Sequence, residues 1–110
     1  MSRSSIAALV LVGALAAAGC NRPKAEDCEE GIRNWFTLIY WEDAEKEIAA
    51  APPEQRDAVR AAKIADRDKK LEEGMDLSVR QCRAAGDNEG VKCMREAHTA
   101  AQARACRPAK

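Results

Sequence analysis

Two breakers divide the chain beyond residue 27. They are Pro52-Pro53 and the run Gly86-Asp87-Asn88-Glu89-Gly90. Both are built from residues that helix interiors exclude or penalise. Each of the three stretches they separate has the length of a helix, and none shows the period-two alternation of a half-buried strand. The spacing predicts helices over about 28–50, 54–85 and 91–107. Asp27 and Glu30 fall at the N-cap and N3 positions of a capping box, and Glu29 and Glu30 oppose the positive end of the first helix dipole. Pro53 suits a first helical position. Thr99-Ala100-Ala101-Gln102 repeats the capping-box pattern, which predicts a break near His98 and two short helices in the last segment.

Composition agrees with helices. Charged residues make up 33% of the 110-residue chain and aromatic residues only 4%, whereas strands favour β-branched and aromatic side chains. In the second segment Ala61, Ile64, Leu71, Met75 and Cys82 recur at three-and-four spacing, although Asp68 and Ser78 share that stripe. Asp66 and Lys70, Lys69 and Glu73, and Asp76 and Arg80 are opposite charges four apart, each pair contributing a few tenths of a kcal/mol. The expected fold is all-α: a small disulfide-stapled helical hairpin or three-helix bundle, formed as one domain by residues 27–110. Many of its apolar residues are Ala, so its core is thin and covalent staples are needed.

The first twenty residues, MSRSSIAALVLVGALAAAGC, have a different character. Arg3 gives a short positive start. Residues 6–18 are uncharged and mostly apolar, shorter than the roughly 20 residues that span a bilayer and of the length of a signal-peptide core. Ala17-Ala18-Gly19 and then Cys20 follow. This stretch resembles the lipobox of bacterial lipoprotein precursors, although Ala17 stands where that family prefers Leu. The resemblance implies cleavage before Cys20, a lipid thioether and an amine-linked acyl chain on Cys20, and no other cofactor. Asn21 rather than Asp follows the cysteine, which by the family's sorting rule implies the outer membrane, with the domain on its periplasmic face. The competing expectation is ordinary secretory cleavage after Ala18, using Ala16 and Ala18. In the lipoprotein reading, residues 1–19 are a signal peptide and 20–26 a lipidated cysteine with a short polar tether.

Cysteine parity fits this reading. Five cysteines are an odd number, and an odd thiol in an exported protein is a liability. With Cys20 lipidated, Cys28, Cys82, Cys93 and Cys106 remain as an even set for an oxidising compartment. Three pairings are open. Cys82 and Cys93 lie nearly symmetrically about the Gly86 to Gly90 breaker, which favours Cys82 with Cys93 and Cys28 with Cys106. Cys28 with Cys93 and Cys82 with Cys106 is the rival. Cys93 with Cys106 is disfavoured if the last helix is unbroken, because thirteen helical residues span about 20 Å.

The aromatic residues all fall in one window, 35–41: Trp35, Phe36, Thr37, Leu38, Ile39, Tyr40 and Trp41. As a helix, this window turns almost twice. Ile32, Trp35, Phe36 and Ile39 share one face, and Leu38 and Trp41 another, more than one partner helix can cover. Two readings follow: a hydrophobic core packed from both sides, or a surface, partly exposed, for a partner or for lipid. Trp35, Phe36, Leu38, Tyr40 and Trp41 are the candidate partner-binding residues.

Other chemistries lack their motifs. No Cys-x-x-Cys is present for thiol redox work or haem attachment. Cys93 and His98 match no usual zinc spacing, and a Cys–His nucleophile would need a free thiolate. Acidic Glu26, Asp27, Glu29 and Glu30 are explained by the helix dipole, and the mixed charges of residues 66–73 by a solvated face. Eighteen basic and eighteen acidic residues balance, which gives no global field to recruit nucleic acid or anionic lipid. The expectation is a non-enzymatic envelope lipoprotein, without a metal or catalytic residues, held to the membrane by its lipid and binding another envelope protein. The alternative is a periplasmic carrier whose bundle, lined by Trp35, Phe36, Leu71 and Met75, holds an acyl chain or another apolar small molecule.

Overall fold

The computed structural model describes residues 21–106. The expected signal peptide (residues 1–19), Cys20 and residues 107–110 lie outside the described residues. Four α-helices follow in chain order: α1 (Ala25–Ala50), α2 (Arg56–Ala85), α3 (Asn88–Glu96) and α4 (Ala100–Ala105), with a 3-10 turn (Pro53–Gln55) between the first two. Among the described residues there is no strand. The fold is the expected small, disulfide-stapled all-α domain. α1 is its centre: α2 runs antiparallel along one flank, and α3 and α4 pack on another.

The prolines make the first turn. Ala51, which precedes Pro52, is held extended (φ −73°, ψ 151°), because a following proline disfavours the α region. Pro53 then opens the 3-10 turn. The last turn of α1 contains no basic residue, and Arg56 supplies one from α2. Its Nε donates to the Ala51 carbonyl and its Nη2 to the Ala49 carbonyl, both at 3.1 Å. These bonds satisfy carbonyls that the helix end leaves without partners.

The second turn is tighter than the five-residue breaker suggests. Gly86 ends α2 in the left-handed conformation (φ +67°), where a Cβ would be strained. Asp87 is already the N-cap of α3, and its Oδ1 accepts from the Gly90 amide at 2.9 Å. Asn88, Glu89 and Gly90 thus form the first turn of α3 rather than loop. A Cβ at Gly90 would lie 2.4 Å from the Asp87 carboxylate, so a larger residue there would shift the capping side chain. The start of α1 also departs from expectation. The helix begins at Ala25 with Lys24 as N-cap and no side-chain cap. Asp27 therefore lies inside the first turn, where its charge favours the dipole instead of capping an amide.

The cysteine pairing corrects the favoured expectation. Cys28 pairs with Cys82 (Cα–Cα 6.1 Å) and Cys93 with Cys106 (Cα–Cα 5.6 Å); neither Cys82 with Cys93 nor Cys28 with Cys106 is bonded. The reason is the predicted break at His98. Ala97 is extended (ψ 138°), and Thr99 caps α4 by accepting from the Gln102 amide at 3.1 Å. Gln102 Oε1 in return accepts from the His98 amide at 2.8 Å. The chain reverses there, and α4 carries Cys106 back to α3. In chain-entropy terms, the separations of 54 and 13 residues correspond to about 4 and about 3 kcal/mol respectively.

The core is as thin as the composition implies. Its buried apolar residues are Cys28, Ala44, Ile48, Leu71, Val91, Ala97, Ala103 and Cys106. On α2 the inward stripe is not the predicted one. Leu71 is buried, and Met75 and Cys82 are half-buried, but Ala61 is exposed and Ile64 is 40% exposed. Val59, Lys63, Asp66 and Arg67 turn inward in their place. Their backbone positions follow the inter-helix face, and the long aliphatic stems of Lys63 and Arg67 cover apolar surface while their charges reach solvent.

Candidate interaction surface

The aromatic window occupies the middle of α1, where both flanks have neighbours. Every residue from Trp35 to Trp41 is half-buried; none joins the fully buried core and none is fully exposed. The helix twist distributes these side chains over both flanks. Toward α3 and α4, Trp35 Nε1 donates to the Ala103 carbonyl at 2.9 Å. Beside it, Asn34 Nδ2 donates to the Met94 and Ala97 carbonyls at 2.8 and 2.9 Å. Asn34 thereby closes the C-terminal end of α3, where carbonyls lack helical partners. Glu42 accepts from Arg104 Nη1 at 2.7 Å, which holds α4 to the far end of the window.

Toward α2 the aromatics form one chain of contacts. Phe36 stacks on Tyr40, with centroids 5.8 Å apart and planes at 26°. Tyr40 meets Trp41 edge-on at 5.8 Å. The Tyr40 hydroxyl donates to Asp66 Oδ2 at 2.7 Å, and the same Oδ2 lies 3.1 Å from Lys70 Nζ. The Lys70 ammonium is 5.6 Å from the Tyr40 ring, and the Arg67 guanidinium 5.8 Å from the Trp41 ring, within cation–π range.

Burial, with Asp66 as hydrogen-bond acceptor and nearby charge, pushes the Tyr40 hydroxyl up to about 12. The Tyr40 and Lys70 hydrogen bonds hold the Asp66 carboxyl below the usual carboxylate range. Both shifts favour a neutral phenol on a charged carboxylate. The polar tips of Trp35 and Tyr40 are thus satisfied inside the domain.

Between α1 and α2 this geometry leaves an open groove of about 360 Å³. Phe36, Ile39 and Tyr40 give it apolar walls, and Asp43, Lys63 and Lys70 charge its rim. Trp35 faces away from it, toward α4. Met75 lines two other grooves, nearer the disulfide end of the hairpin.

The structure thus brings Phe36, Tyr40 and Trp41 together with residues of α2 and sets Trp35 apart on the α4 side. Sequence reasoning missed Asn34, Asp66, Arg67 and Lys70 as partners of the window. The Asp66 and Lys70 pair was visible at four-residue spacing, but nothing local indicates that a phenol 26 residues earlier shares the carboxylate.

Cys93, paired with Cys106, has no thiolate to offer a metal or a substrate beside His98. Among the described residues no group of three or more His, Cys, Asp or Glu side chains is placed to hold a metal ion. No helix among them is long and apolar enough to cross a membrane. No known protein family, curated protein or solved structure matches the chain.

Proposed function

We propose that this chain is a lipid-anchored, non-enzymatic module of the bacterial cell envelope that binds another envelope protein through the 35–41 window. The lipobox-like end of the first twenty residues supports the anchor on Cys20. Two disulfides among the four remaining cysteines fit an oxidising compartment. Asn21 after the anchor favours the outer membrane, with the domain on the periplasmic face.

The observation that carries the binding surface is the condition of the window. All the aromatic residues of the chain lie there, neither fully buried nor fully exposed, with the Trp35 and Tyr40 polar atoms bonded internally. Partly exposed Trp and Tyr clusters of this kind are where binding energy concentrates at protein interfaces. The charged rim of the Phe36, Ile39 and Tyr40 groove would orient a partner over that apolar centre.

A photo-crosslinking amino acid placed at Leu38, Ile39 or Trp41 in cells tests this reading. Leu77, an apolar residue 55% exposed on the outer side of α2, serves as the control position. One envelope protein captured from the window positions and not from Leu77 is the expected result. Equal capture at all positions, or none at the window, contradicts it. Crosslinks to a lipid or another small apolar molecule at the window would replace the interaction module with the carrier reading. Trp41→Ala is the matching variant: it should weaken capture more than it lowers stability, and equal loss of both would make the window simply core.

A further inference from the structure

The residues that join the anchor to the domain are part of the fold rather than a free tether. Pro23 is buried. Arg83 Nε, in the last turn of α2, donates to the Pro23 carbonyl at 3.3 Å. Asn88 Nδ2, in the first turn of α3, donates to the Asn21 carbonyl. The Lys24 carbonyl accepts from the Cys28 amide at 3.0 Å, and Cys28 is bonded to Cys82. The chain is therefore pinned to the α2–α3 turn from Asn21 onward, and Cys20 is the residue covalently joined to Asn21. No slack separates the anchor from the domain.

Charge is distributed to match. Along the flanks, Arg33, Arg60, Lys63, Arg67, Lys70, Arg95 and Arg104 each form an ion pair. At the pinned end Arg22, Lys24, Arg83 and Lys92 are exposed, and among the described residues none is in an ion pair. Of the acidic residues at that end, Asp87 is committed to capping α3, Asp27 and Glu30 pair with Arg95, and Glu29 pairs with Arg33, which leaves Glu26 and Glu89. These four side chains lie where the acyl chains would enter a bilayer, and phosphate-bearing headgroups suit them; Arg56, Lys69 and Arg80, also outside the ion pairs, lie elsewhere on α2.

We propose that the module sits end-on: residues 21–24 and the α2–α3 turn meet the lipid headgroups, and α1 and α2 project away from them. This rests on the lipid-anchor reading of Cys20. Trp35 and Trp41 lie 10 and 16 positions beyond Ala25 in α1, about 15 and 24 Å along the helix axis. The headgroup layer is only about 5–8 Å deep on each side of the bilayer. End-on seating therefore holds the window clear of lipid and presents it to the aqueous compartment. It assigns the bilayer to one end of the molecule and the protein partner to its middle.

The test uses the lipidated chain extracted from membranes and reconstituted in phosphatidylethanolamine/phosphatidylglycerol vesicles that contain headgroup-level nitroxide lipids. Its intact mass is measured first. Trp35 and Trp41 are the only tryptophans, so wild-type emission reports the window alone. Expected is wild-type emission nearly unchanged by the quencher lipid, with the added emission of Ala84→Trp, at the pinned end, strongly quenched. The double variant Arg83→Ala/Asn88→Ala, checked for folding by circular dichroism, frees the joint and should increase quenching of the window. Strong quenching of Trp35 and Trp41 in the lipidated wild type would overturn end-on seating and leave the anchor standing. So would equal window quenching in wild type and double variant, because the pinned residues would then set no orientation. A mass without acyl chains would remove the anchor itself, and this proposal with it.

Discussion

Tyr40 links the aromatic window to α2 through one hydrogen bond, and its environment can be read directly. It is the only tyrosine in the chain, so absorbance at 295 nm titrates this residue alone. A midpoint near 12 is expected, against the ordinary 10, because burial and Asp66 both disfavour the phenolate. Since the folded-state value is raised, the stabilisation is complete below pH 10 and disappears as the pH climbs toward 12. Asp66→Asn should move the midpoint back toward 10. A wild-type midpoint at 10, with helical circular dichroism intact, would mean the contact does not persist in solution. Two glycines give a second contrast at this scale. Gly74 has open space where a Cβ would go, so Gly74→Ala should raise stability by about 0.5–1 kcal/mol. Gly31 is buried, and its Cβ would lie 3.3 Å from both Met94 Cβ and the Val91 carbonyl oxygen. Gly31→Leu would wedge α1 from α3 and should lower stability by about 1–3 kcal/mol. Denaturant melts of the two variants check both signs.

Among the elements, the short helices depend most on their staple. α4 has six residues, too few to be helical in isolation. It is held by its Thr99 cap, the Cys93–Cys106 bond, the Trp35 indole and the Glu42 ion pair. Replacing Cys93 and Cys106 together by Ser should therefore release α4 locally while the α1–α2 hairpin keeps its protection. Hydrogen exchange would show fast amides over Ala100–Ala105 beside slow ones in the middle of α1 and α2; uniform acceleration would mean that α4 supports the whole domain. Much at this scale was legible in the sequence. Pro52-Pro53 announced the first turn, and Thr99 with Gln102 announced the break at His98. The pairing of cysteines was not. Symmetry about the Gly86 to Gly90 breaker favoured Cys82 with Cys93, but that assumed α3 to be the direct antiparallel partner of α2. It packs instead on another flank of α1, with Gly31 facing Val91 and Met94. The break that was foreseen is the feature that makes Cys93–Cys106 possible; its consequence for the pairing lay in three dimensions. The α2 stripe misled for a related reason: the aliphatic stems of Lys63 and Arg67 line the inner face, and a reading by residue type assigns them to solvent.

At the scale of the whole molecule, the antiparallel helices of 26 and 30 residues give the domain the shape of a small rod with a thin core and two staples. We propose that the rod is joined to lipid at one end and offers aromatic surface at its middle. The proposed position in the cell and the proposed binding surface rest on different parts of the sequence, the first twenty residues and the 35–41 window, and can fail separately. The anchor comes first, because the compartment, the oxidation state and the orientation proposed here all depend on it. The most direct measurement is the intact mass of the protein extracted from membranes, with thiols alkylated before or after reduction. Expected is a chain that begins at Cys20, carries added acyl mass, and shows four alkylatable thiols only after reduction. A chain without lipid, cut elsewhere or uncut, or one with free thiols before reduction, would contradict the proposal.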